Sequence, residues 1–162
     1  MLYPIRKFVT KGREYTNIGY NPVDVPIIRY ADVLLSLAEA VNEQGRWQEA
    51  VSYVNRVRNR AGVALLNAPG NTNTKVSGVE EMRVRIRNEK KWELACEEQL
   101  YFEELRWGTW KTDKFVAKNG LQNVWGAPVY TYIWGGDAYL KWAIPQSEVE
   151  KNTNIKQNEG WN

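Results

Sequence analysis

Glu89 and Glu93 are the first residues of this chain whose types and spacing could do chemistry. Four residues apart in a helical stretch, they share one helix face with Cβ atoms about 5–6 Å apart. That is close to the carboxyl separation of a retaining glycosidase. A catalytic pair, however, ordinarily flanks its substrate from different elements, and two acids on one helix point the same way. The competing reading is structural. A carboxylate that stands where an apolar stripe should run must be paired when it is buried. Arg29, Arg58, Arg60 and Arg106 are available as partners, with Glu39 as a further member of the network. The pattern favours this second reading.

Aromatic residues are the other candidate chemistry. The chain has eight Trp and nine Tyr against three Phe. Trp and Tyr join an apolar face to a polar handle, which suits stacking on sugar rings as well as the edges of an ordinary core. They are densest between Trp125 and Trp142. Trp125, Tyr130, Tyr132, Trp134 and Tyr139 form a candidate ligand-binding set, with Asn123 or Asp137 to bond hydroxyl groups. The alternative for the same stretch is a loop packed on the helices, or an interface with a partner protein. Trp107 and Trp110 read as core.

Several chemistries are excluded by composition. Histidine is absent, which removes Ser-His-Asp and Cys-His catalysis, the usual zinc sites and the Glu-x-x-His di-iron motif. No metal ligand set or cofactor is expected. Cys96 is the single cysteine, so no intrachain disulfide can form, and its helical setting predicts a buried, inert thiol. Gly135-Gly136 lacks the Lys-Ser/Thr and the following helix of a phosphate loop. The basic run Arg83, Arg85, Arg87, Lys90 and Lys91 circles its helix and is interleaved with Glu80, Glu81, Glu89 and Glu93. It predicts a solvated, salt-bridged surface and no nucleic-acid partner. A net charge of +3 from 22 bases and 19 acids agrees.

The elements that must position these residues are mainly helical. The chain, at 162 residues, can bury a real core as one domain. After an irregular start, in which Ile5, Phe8 and Val9 could form a short edge strand, Tyr30, Leu34, Leu37, Ala38 and Val41 recur at helical spacing up to Gly45. Trp47, Ala50, Val51, Val54, Val57 and Ala61 repeat the pattern up to Gly62. The resulting helical hairpin, 27–62, has the look of one tetratricopeptide unit. Residues 63–77 read as a linker. A third helix spans about 78–106, with Val79, Met82 and Ile86 continued by Glu89, Glu93, Cys96 and Leu100. Residues 109–142 form the aromatic loop, in which Val129–Ile133 alternates like a strand.

Residues 143–162 form a strap. Pro145 gives an extended entry, Ser147 with Glu150 a capping box, Asn152, Asn154 and Asn158 the turns, and Trp161 an apolar anchor. This tail, with Ala143-Ile-Pro-Gln-Ser147 at its head and Gln157-Asn-Glu-Gly-Trp161 at its end, resembles the C-terminal signature of the SusD/RagB family of surface nutrient-binding lipoproteins. Two more segments carry the resemblance. One runs from Ile86 through Asn88-Glu89-Lys90, Glu93-Leu94 and Glu97 to Leu105-Arg106-Trp107-Gly108. The other is the hairpin, Pro26–Leu35, Ala38-Glu39-Ala40 and Val54–Gly62. Departures are Ala143 and Glu159 for prolines, Lys90 for the usual Arg, Leu100 for a frequent Arg and Glu103 for Asp.

The resemblance implies a mainly α, SusD-like fold and a C-terminal portion of a longer protein. It implies a non-enzymatic role in which glycan or peptide is captured and passed to a SusC-like TonB-dependent transporter. It also implies an outer-membrane, cell-surface location through a lipidated N-terminal cysteine that this sequence lacks. Other readings stay open: a tetratricopeptide-type interaction scaffold, and a glycoside-active enzyme using Glu89 and Glu93. The strap is expected to close the domain, through Ile144, Ile155 and Trp161, without touching ligand.

Overall fold

The computed structural model describes Lys7, residues 26–113 and residues 134–161. The chain groups into two compact units, one within residues 4–100 and the other within 101–162. Ile5, Phe8 and Val9, and the expected strand at 129–133, lie outside the described residues.

In the first unit, α1 (Tyr30–Glu43) packs on α2 (Trp47–Ala61), and both pack on α3 (Val79–Glu93). The core comes from one stripe of each helix: Leu34, Leu35, Ala38 and Val41, then Ala50, Val54 and Val57, then Met82 and Ile86. The small Ala38 and Ala50 are completely buried, which lets the α1 and α2 backbones approach closely. Leu35 and not Leu37 faces inward; Tyr30 and Leu37 are exposed, so the buried stripe is rotated from the expected one. Each fully buried Leu, Ile or Met stabilises the unit by about 1.5–3 kcal/mol, and Leu35→Ala costs about 2–5 kcal/mol.

The end of α2 and the segment that follows it are set by local chemistry. Gly62 ends α2 in the left-handed conformation (φ 70°), where a side chain would be strained. Its neighbour Val63 donates to the Arg58 carbonyl at 3.1 Å, which closes the helix end. Residues 63–77 are more than a linker, because they bury Leu66 and Val76 in the core. The Asn55 amide grips both backbone groups of Leu66 (3.1 and 2.7 Å), and Asn67 Oδ1 accepts from Val76 N at 2.8 Å.

The long third helix is interrupted. Its first part ends at Glu93, and α4 (Gln99–Arg106) begins after the segment 94–98. Cys96 sits in the left-handed region (φ 63°) and is exposed, so the expected buried thiol is on the surface. The helical register that placed it inward stops three residues earlier, at Glu93. The freed carbonyls are met by cations: Glu93 O accepts from Lys7 Nζ and Arg29 Nη2, each at 2.8 Å, and Ala95 O accepts from Lys7 Nζ at 2.9 Å. Positive charge at a helix C-terminus is favourable for its dipole as well.

In the second unit, Tyr101 on α4 meets Trp110 edge to face, with ring centroids 4.8 Å apart. Trp107 and Trp110 are half-buried and do not belong to the fully buried core. A short 3-10 turn (Asp137–Leu140) and α5 (Gln146–Lys151) follow. Pro145 occupies the cap position of α5 and no side chain caps it. Ser147 therefore lies inside the helix, and the expected Ser147–Glu150 capping box does not form; Gln146 Nε2 reaches Glu150 Oε1 instead, at 3.0 Å.

Candidate functional site

The acids of α3 are held by arginines. Arg58 on α2 donates through Nη1 to Glu89 Oε2 at 2.5 Å and through Nε to the Ala64 carbonyl at 2.7 Å. Glu93 divides its two oxygens: Oε1 receives Arg29 Nη1 at 2.6 Å and Oε2 receives Arg60 Nη2 at 2.5 Å. Arg29, Arg58, Glu89 and Glu93 thus come together as a paired cluster. Arg106 pairs with Glu103, one turn earlier on its own helix.

Three further members were not foreseen. Glu97 forms ion pairs with Arg29 Nη2 (2.8 Å) and with Lys7. Burial alone would push its carboxyl up, but the hydrogen bonds from Arg29 and Lys7 outweigh that and hold it below the usual carboxylate range. The Arg29 guanidinium also loses solvation on burial, yet its bonds to Glu97 and Glu93 raise it above its ordinary value. The third is Lys90, which is completely buried. Its ammonium donates to Ser36 Oγ at 3.0 Å and faces Glu39 Oε2 at 3.5 Å and Asp32 Oδ1 at 3.9 Å, both on α1. The solvated-surface reading of the basic run therefore fails at this position. Glu39 pairs with this lysine.

This arrangement is suited to holding α1, α2 and α3 together. Each carboxylate of the Glu89–Glu93 pair already accepts from a guanidinium. Among the described residues, no cluster of acids and Cys is placed to hold a metal ion.

The aromatic candidates are placed only in part. Trp125, Tyr130 and Tyr132 lie outside the described residues, as does the Tyr139 side chain. Trp134 is half-buried, and its Nε1 donates to Asp137 Oδ1 at 2.9 Å. Lys111 donates to the same oxygen at 2.9 Å and stands 5.1 Å from the Trp134 ring centroid. The Lys111 hydrogen bond, then that of Trp134, lowers the Asp137 carboxyl below its usual value. Asp137, considered above for bonding hydroxyls, thus holds the Trp134–Lys111 pair in place.

Trp142 and the tail add aromatic surface that the candidate set did not include. Trp142 is 79% exposed. With Tyr101, Lys141, Ala143 and Trp161 it lines an open cleft of about 380 Å³. Gln157 bonds both backbone groups of Ile144 at 2.8 Å each. Asn158 Nδ2 donates to the Trp142 carbonyl at 2.6 Å.

Comparison with known proteins places this geometry in context. A family model for the SusD family matches residues 1–161. The starch-binding protein SusD of Bacteroides thetaiotaomicron is 29% identical over 158 residues, covering 96% of this chain and 25% of that protein. SusD-like protein P2 of Formosa agariphila is 33% identical over 150 residues, covering 91% of this chain and 26% of its own length. The crystal structure of a SusD-like protein from Bacteroides fragilis superposes with a TM-score of 0.62 at 27% identity, over 83% of this chain and 25% of that one. The chain therefore spans about a quarter of the length of these relatives.

Proposed function

The chain belongs to the SusD family, and on that premise we propose that it serves a surface glycan-binding protein. In this reading the whole protein captures oligosaccharide, or peptide, and delivers it to a SusC-like TonB-dependent transporter. The observation that carries the reading is similarity along nearly the whole chain to a protein named for binding starch. Binding is by stacking and hydrogen bonding, with no covalent step. The arginine-paired state of Glu89 and Glu93 supports a non-catalytic role. Trp125, Tyr130, Tyr132, Trp134 and Tyr139 remain the proposed ligand set of the aromatic loop.

The proposed location is the outer surface of the outer membrane, through a lipidated cysteine outside this sequence. Among the described residues no helix is long and apolar enough to cross a membrane. Native gel electrophoresis in gels containing dissolved polysaccharides tests the function: retardation by at least one glycan is expected. Glu89→Gln with Glu93→Gln should leave that retardation intact and lower Tm. A hydrolytic activity that these two changes abolish at unchanged Tm would overturn the reading in favour of an enzyme.

A second reading, as a protein-interaction scaffold, draws on the exposed apolar residues Ile27, Ile28, Tyr30, Val33 and Leu37. Beside them a cleft of about 430 Å³ is lined in part by Tyr30, Leu34, Arg56 and Arg60. Under that reading, glycans give no retardation and the Leu37→Glu variant loses a protein partner.

A further inference from the structure

We propose that the cleft between Trp142 and Trp161 is a sugar-binding subsite that takes a pyranose unit of a glycan chain. This rests on the glycan-binding reading above and adds a place where a glycan is held. It also revises the expectation that the tail stays clear of ligand.

Three features support it. First, the lining has the chemistry of a saccharide site. Trp142, Trp161 and Tyr101 supply aromatic surface, and Lys141 supplies an ammonium donor. Aromatic faces carry negative potential that attracts the weakly positive C–H face of a pyranose ring, and an ammonium bonds hydroxyl oxygens. Second, the size fits: about 380 Å³ is within the range of ligand clefts, roughly 300–1,000 Å³.

Third, the backbone that forms the cleft is held by side chains of the tail. Trp161 Nε1 donates to two carbonyls, Lys141 O at 2.9 Å and Ala138 O at 3.1 Å. Asn158 holds the Trp142 carbonyl, and Gln157 holds Ile144 on both sides of its backbone. The extended segment 141–144 is thereby fixed by three side chains of the tail. With the backbone fixed in advance, that part of the ordering cost is not incurred on binding, so more of the stacking energy appears as affinity. The tail thus has two roles: its polar side chains set the backbone, and its terminal indole supplies one wall.

The test uses the full chain in native gels containing amylopectin, β-glucan, xylan or pectin, followed by calorimetric titration with an oligosaccharide of the glycan that retards it. Trp142→Ala is expected to weaken Kd by about tenfold, the loss typical of an aromatic contact residue. Trp142→Tyr, which keeps a ring, should weaken it less than threefold. Both should leave Tm unchanged, since the Trp142 side chain is mostly solvent-exposed. Full retardation of Trp142→Ala, with wild type retarded, overturns the subsite and leaves the glycan-binding reading standing. A fall in Tm with unchanged Kd assigns the indole to packing and likewise overturns it. Wild type retarded by none of the four glycans overturns the subsite together with the reading it rests on.

Discussion

Arg29 binds Glu93 twice: Nη1 stands 2.6 Å from the carboxylate Oε1, and Nη2 donates to the main-chain carbonyl of the same residue at 2.8 Å. One guanidinium therefore pairs a side chain and caps the helix end that carries it. Its Nε reaches Glu97 at 3.1 Å across the break that follows. The planar fork of arginine makes this possible. A helix end buried against its neighbours needs partners for its last carbonyls, and here cations supply them.

Arg29→Ala should be strongly destabilising, by about 2–4 kcal/mol. Removing one partner of a largely buried ion pair costs roughly 3–5 kcal/mol, reduced here because Arg29 keeps some solvent contact. Arg29→Lys keeps the charge and loses the fork, so it should recover less than half of that loss. Chemical denaturation at pH 7 measures both. A Lys variant as stable as wild type would show that charge alone suffices.

Acid should weaken the first unit through Glu97. Its folded carboxyl lies below the usual range, which for glutamate is about 4.3. Between those two values the unfolded chain holds a proton that the folded chain does not, so stability rises with pH across the interval. The contribution is complete above the unfolded value and disappears as pH falls through the folded one. Glu97→Gln should lower stability at pH 7 and flatten the stability curve below about pH 4.3. Equal slopes for the two proteins in that window would exclude Glu97 as the source.

Cys96 should react with a thiol reagent in the native protein, one equivalent per chain and without denaturant. It is exposed, and its left-handed backbone (φ 63°) is a conformation that costs a non-glycine residue roughly 1 kcal/mol. Cys96→Gly should therefore hold or raise stability, by up to about 1 kcal/mol. Labelling only after unfolding would return the thiol to the interior.

Much of the fold was legible from hydrophobic spacing. The hairpin, its glycine stops and the start of α3 follow from periods that apolar burial enforces. Leu35 in place of Leu37 was not legible, because both fit a helical period and only contact with α2 and α3 decides between them. The break at Cys96 was hidden for a different reason. Nothing in Leu94–Glu98 breaks a helix by itself; the segment is held by Lys7 and Arg29, distant in sequence.

Legibility of the sites was uneven in the same way. The pairing of Glu89 and Glu93 with arginines could be anticipated because buried acids demand cations. Lys90 stood in plain view, four residues after the core residue Ile86, but a run of basic residues drew it to the surface. Its burial depends on Ser36, Glu39 and Asp32 converging from α1. Trp142 and Trp161 lie nineteen residues apart in sequence, and no local period links them.

Gly160→Ala tests whether the tail is a positioning device. At Gly160 φ is +85°, and an added methyl group would stand 2.5 Å from the Ala138 Cβ. Both the strained backbone and the clash must be relieved, at about 1–3 kcal/mol. The cheapest relief is to lift 160–161 away from Ala138, which breaks the two bonds from Trp161 Nε1. The first unit should be spared, since its core contains no residue of this segment. The expected result is a red-shifted tryptophan emission and faster proteolysis near the C-terminus, with slow hydrogen exchange retained in α1–α3. Slow exchange lost throughout would mean that the tail and the helices unfold as one body.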